Sequence, residues 1–144
     1  MAANAQWVWF ALGSAFFAAL TSLLGKLGVT ELNSNMATFV RSIVIVGVTA
    51  CVISLRNEWQ RPPQASWSSW AFIVLSAVAT GLSWLCYYRA LQLGPLSSVA
   101  PVDKLSVALS ILLGVVVLGE QLNWAVCVGG GLIVAGSLVI VKYG

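Results

Sequence analysis

Histidine is absent from the 144 residues, and only 8% of them are charged. A soluble domain carries roughly a quarter of its residues charged, and one of this size would need far more polar surface to cover its core. No Cys-x-x-Cys pair and no glycine-rich phosphate loop occurs, so the common zinc, redox and nucleotide signatures are missing. With no histidine and a single acid inside an apolar run, there is no obvious nucleophile–base pair. Neither enzyme activity, a cofactor nor a metal site is expected. Seven Lys/Arg and a net charge of +3 do not make a nucleic-acid surface. The three cysteines, Cys51, Cys86 and Cys127, each sit in an apolar run and are expected to be buried as small hydrophobes. Met1 to Gln6 carry no Lys or Arg, so the apolar run that follows is expected to span a membrane rather than act as a signal peptide.

What is present is apolar length. Sixty per cent of the residues are apolar, and they come in long unbroken runs rather than amphipathic stripes. These predict an all-α membrane protein, a bundle of five transmembrane helices at about 7–25, 36–55, 67–88, 96–118 and 122–141. Barrel strands would instead alternate polar and apolar residues in runs of about ten. At about 20 residues per span, the spans leave room only for short connections, so residues 1–144 form one transmembrane domain. Lys26 to Asn35 is one connection, and Arg56 to Ser66, with Arg61 and Pro62-Pro63, is the longest polar loop. Gly94-Pro95 separates spans 3 and 4, and Gly119-Glu120-Gln121 makes a tight turn into span 5. No internal duplication is evident, and an odd span count puts the termini on opposite faces.

The two faces differ in chemistry. Trp7, Trp9, Trp59, Trp67, Trp70 and Trp124 fall near the face bearing the N-terminus, as an interfacial indole belt would. Trp84 lies towards the other face with Tyr87 and Tyr88. Lys26, Arg41, Arg89, Asp103 and Lys104 gather in that same half. Lys26 and Arg89 stand at span ends, where snorkelling to the headgroups accounts for them. Arg41, Asp103 and Lys104 are deeper, where an ionisable group marks a pathway or an internal pair. Asp103 and Lys104 are about 100° apart on a helix and are expected to face different partners. An Asp103–Arg41 or Asp103–Lys26 pair is one reading; direct participation in binding is the other. Both stay open here.

Span 4 carries Pro101, which cannot donate to the carbonyl of Ser97 and so frees a polar backbone group within the membrane. Ser106, Ser110 and Gly114 then form a small-residue face, and Ala125, Gly129, Gly130, Gly131, Ala135 and Gly136 form another on span 5. The second is the better candidate for contact between subunits.

The stretch Gly81-Leu-Ser-Trp-Leu-Cys-Tyr-Tyr-Arg-Ala-Leu-Gln-Leu-Gly94 resembles the span 3 signature of the EamA family. So does Val99-Ala-Pro-Val-Asp-Lys-Leu-Ser106, ending in Leu118-Gly-Glu120. Ala15 to Thr21, Gly25-Lys-Leu-Gly28 and Ala37-Thr-Phe-Val-Arg41 are similar to its single-copy, five-span bacterial and archaeal branch. The family belongs to the drug/metabolite transporter superfamily. The resemblance implies one half of an inverted-repeat, ten-helix carrier, working as a homodimer whose two copies are inserted in opposite directions. It further implies a multi-pass protein of the prokaryotic plasma (inner) membrane that exports a small organic solute, a metabolite or drug-like compound, by alternating access. Trp84, Tyr87 and Tyr88 would supply apolar and stacking contacts to the solute. Arg41 and Lys104 could attract an anionic group, and Asp103 is the only acid available within a span for proton coupling. Pro101 would serve as a hinge. Loops and termini carry two Lys/Arg on one face (Arg56, Arg61) and three on the other (Lys26, Arg89, Lys142), a near balance that specifies orientation weakly; counting the deeper Arg41 and Lys104 makes it two against five and would put the second face in the cytoplasm. A different outcome is a non-transporting membrane subunit packed through span 5 against an unrelated partner.

Overall fold

A computed structural model describes residues 6–60 and 65–143. Arg61 and Pro62-Pro63 of the polar loop, and the first residues up to Ala5, lie outside the described residues. The described chain is all helical: α1 Gln6–Gly28, α2 Ser34–Arg56, α3 Trp67–Leu93, α4 Leu96–Asp103, α5 Leu105–Leu118 and α6 Trp124–Tyr143. Taking α4 and α5 as one interrupted span, five helical segments are long and apolar enough to cross a bilayer. No more than 6% of each span's most apolar window is buried by the protein itself. The apolar faces therefore look outwards, towards lipid or another apolar surface.

The helix ends follow local chemistry. Asn33 begins α2, its side-chain oxygen accepting from the Asn35 N–H at 2.9 Å. The same helix ends on Asn57, at φ 55°, with Glu58 N–H donating to the Ile53 carbonyl and Asn57 N–H to Ser54. That is a left-handed cap built on asparagine rather than glycine. Asn123 Oδ1 accepts from Val126 N–H and starts α6 two residues later than expected. Two further boundaries move outwards. Helix α1 runs on to Gly28, which puts Lys26 in its last turn. Helix α3 runs on to Leu93, because Gly94-Pro95 rather than Arg89 stops it.

Six hydroxyls inside the spans are satisfied locally. Thr21, Ser22, Thr38, Ser42, Thr49 and Thr80 each donate to the carbonyl one turn earlier, at 2.8–2.9 Å. An unpaired hydroxyl facing hydrocarbon would be costly. Cys51, Cys86 and Cys127 are exposed on their helices, which corrects the expectation of burial: any shelter they have comes from outside the chain.

Contacts divide the chain into two compact units, Leu23–Gln92 and Met1–Ser22 with Leu93–Gly144. In the first, the buried residues Val29, Ser34, Thr38, Tyr87, Tyr88 and Leu91 cluster where α1 ends, α2 begins and α3 ends. In the second, α4, α5 and α6 pack on one another. A Cβ on Gly130 of α6 would stand 3.0 Å from Ile111 Cδ1 of α5, so this glycine serves packing within the chain. Gly129, Gly131 and Gly136 have open space beside them.

Candidate functional site

Three aromatic residues of α3 stand at positions i, i+3 and i+4, one face of a helix. Trp84 meets Tyr87 at 5.5 Å and 80° and Tyr88 at 5.4 Å and 65°, both edge-to-face. Such contacts contribute about 0.5–1.5 kcal/mol each beyond area burial. Gly25 of α1 lets Tyr88 lie against the backbone, because a Cβ there would come within 2.6 Å of Tyr88 Cε1. Tyr88 is 5% exposed and holds one edge of Trp84 in place. The six other tryptophans, by contrast, are 40–88% exposed, as an interfacial belt requires. Trp84 is the one drawn into the protein.

Arg41 of α2 completes the cluster. Its guanidinium carbon lies 3.4 Å from the Trp84 ring centroid, a stacked cation–π contact worth up to about 2 kcal/mol when desolvated. The guanidinium makes no hydrogen bond or ion pair to another described residue. Arg41 stands seven residues into α2, about 10 Å along the helix axis. Its charge is therefore met by a ring face and not by a carboxylate.

Around this cluster the helix ends are tied together by polar side chains. Lys26 Nζ donates to the carbonyl of Leu91, one of the four that the end of α3 leaves without a helical partner. A cation at a helix C-terminus is favoured by the backbone dipole as well. Gln92 returns the interaction, its amide donating to the carbonyls of Val29 and Leu32 at 3.3 and 2.9 Å. Arg89 reaches Gln92 Oε1 at 3.0 Å and steadies that amide. Lys26 is thus engaged inside the protein, where snorkelling had been the simpler expectation. Sequence reasoning missed Gln92; a lone amide in the last turn of an apolar helix was the available sign.

Asp103, Lys104 and Pro101 belong to the other unit. Lys104 Nζ lies 3.3 Å from Asp103 Oδ2, so the two neighbours pair with each other. The expectation that they face different partners is corrected: both chains are long enough to bend across the 100° between them, and both are partly exposed, at 38% and 55%. Pro101 lies within α4, and the helix breaks three residues later, at Lys104. There Lys104 N–H donates to Pro101 O at 3.1 Å and Val107 N–H to Lys104 O at 3.0 Å, each one residue tighter than an α-helix. Ser137 of α6, 3% exposed, donates to the same Pro101 carbonyl at 2.8 Å. The break is therefore braced by a neighbouring helix, as non-helical backbone at membrane depth requires. At the far end of α5, Gly119 (φ 68°) turns the chain so that the Glu120 carboxylate folds back over buried Gly114.

Comparison with known proteins adds the family context. The family described as the EamA-like transporter family matches residues 5–142. A Sinorhizobium sp protein named "Uncharacterized transporter in cobO 3'region" is 44% identical over 138 residues, covering 96% of this chain and 98% of its own length. No solved structure matches significantly.

Proposed function

Because the chain belongs to the EamA-like transporter family, we propose that it carries a small organic solute out across the plasma (inner) membrane of a prokaryote by alternating access, as a homodimer. The transporter role itself rests on the family match and on the transporter-named relative, which also point away from an enzyme. The bacterial source of that relative fits the proposed membrane. The observation that carries the mechanism is the interrupted span, Leu96–Leu118, broken at Lys104. Broken helices are found in transporters where the backbone lines a cavity and a span must bend. Pro101 is the hinge in this reading, and Ser137 holds its carbonyl in one of the two conformations.

The homodimer follows from the family resemblance, in which five spans make one half of a ten-helix carrier. In an antiparallel pair, two five-span copies would rebuild an inverted repeat. Span α6, with Gly129 and Gly136 seven residues apart on one face and both unobstructed, offers the close-contact face. Within the unit Leu23–Gln92 the solute would meet Arg41, Trp84, Tyr87 and Tyr88; in the other unit Asp103 and Lys104 stand at the helix break.

The test is uptake of a labelled metabolite panel into proteoliposomes, with and without a pH gradient. Uptake of one compound above protein-free liposomes supports transport; no uptake of any compound, together with co-purification of a stoichiometric unrelated membrane protein, sinks it. Reporters fused to the C-terminus, one active in the cytoplasm and one outside, test the antiparallel pair. A single clean signal removes it.

A further inference from the structure

We infer that Arg41 is the recognition point for a carboxylate on the transported solute; this rests on the transporter reading above. An arginine inside a span costs about 2.5–3.5 kcal/mol or more and persists where a partner or a functional site compensates it. Arg41 has one compensating contact among the described residues, the Trp84 face. A ring face stabilises the charge and uses none of the five N–H donors, which lie in the guanidinium plane. A guanidinium carbon only 3.4 Å from the ring centroid leaves room for the group to lie roughly flat on the ring but not edge-on, so its donors are directed away from the ring as a fork that a carboxylate can accept in bidentate fashion.

The other basic residues are committed elsewhere. Lys26 holds the Leu91 carbonyl, Arg89 holds Gln92, and Lys104 is paired with Asp103. Arg41 is therefore the cation of the site whose hydrogen-bonding edge is unused by described residues. The ring cluster behind it is held by Gly25 through Tyr88, so the fork is positioned before any anion arrives. An anionic lipid headgroup has the same chemistry, but a position about 10 Å along the helix lies below the headgroup layer and favours a solute.

Three probes with the same ring separate the possibilities: labelled phenylacetate, phenylacetamide and phenethylamine, offering a carboxylate, a neutral amide and an ammonium. Equilibrium binding is measured in detergent, and uptake in phosphatidylcholine proteoliposomes. The wild type should bind phenylacetate about ten- to a hundredfold more tightly than the amide, the range expected for a charge-assisted fork. R41Q should abolish the preference. R41K, which keeps the charge but loses the planar fork, should retain only part of it. Equal binding of all three probes, preference for the amine, no phenylacetate binding, or an unchanged preference in a monodisperse R41Q protein each overturns the assignment. Displacement of phenylacetate by phosphatidylglycerol from Arg41, at lipid levels that leave uptake of other solutes intact, overturns it in favour of a lipid. Arg41-dependent binding without uptake leaves the assignment standing and counts against the transporter reading instead.

Discussion

Substituting alanine at Gly25 tests the packing behind the aromatic cluster. The added Cβ would lie 2.6 Å from Tyr88 Cε1 and 3.4 Å from both Cζ and Oη. Ordinary contact begins near 3.4 Å, so the ring must retreat by roughly 0.8 Å along the closest approach. Tyr88 is 5% exposed and sits against Trp84, so it cannot retreat without disturbing its neighbours. Overpacking of this kind costs about 1–3 kcal/mol. Loosening of the Tyr88–Trp84 pair would add part of the 0.5–1.5 kcal/mol that such pairs contribute. At about 2–4 °C per kcal/mol for a chain of this size, the thermal midpoint in detergent should fall by roughly 3–15 °C. Gly13→Ala is the matched control on the same helix, since nothing lies within 4 Å of its Cβ position. It should leave the midpoint unchanged or raise it slightly, because alanine favours the helix. Size-exclusion thermostability scans of both variants decide the matter. A Gly25→Ala midpoint equal to that of Gly13→Ala would refute the contact.

Three further outcomes follow from named contacts. Ser137→Ala removes a buried donor to Pro101 O and should cost about 0.5–1.5 kcal/mol, with faster hydrogen exchange at the amides of residues 104–107; unchanged exchange there would show that α6 does not brace the break. Gln92→Glu replaces an amide that donates to Val29 O and Leu32 O by an acceptor, and should expose the 29–33 turn to limited proteolysis, whereas wild-type resistance would argue against the tie. Asn57→Ala removes the short polar side chain that lets asparagine adopt φ 55° and should lose about 1 kcal/mol, while Asn57→Gly should be neutral or gain slightly; equal midpoints for the two would mean that α2 ends differently.

The spans were legible because hydropathy is a local property: every apolar run in the sequence became helical within about five residues of its expected ends, the fourth as two helices, α4 and α5. The misplaced ends had local causes too. Arg89 is polar but does not stop a helix, whereas Pro95 does. The members of the site were legible one by one, since Trp84, Tyr87 and Tyr88 share a helix face by spacing alone. Their partners were not. Stacking of Arg41 on Trp84 depends on how α2 is set against α3, and the brace from Ser137 to Pro101 depends on α4 against α6. A single sequence carries no record of either register. Gly25 stood in a recognised motif, yet its role appears only once Tyr88 lies against it.

The stacked Arg41 bears on how the chain is made as well as on what it binds. Ribosomes deliver α2 before α3, so Arg41 reaches the bilayer before the indole that compensates it exists. In that interval the helix carries a charge worth about 2.5–3.5 kcal/mol against insertion on the translocon scale. Lys26 likewise waits for the Leu91 carbonyl. The second span is thus held less firmly until the third emerges, whereas Lys26, in the last turn of α1, weighs little on the first. A nascent chain arrested before Trp67 should leave α2 partly outside the membrane, and arrest after Leu93 should restore it.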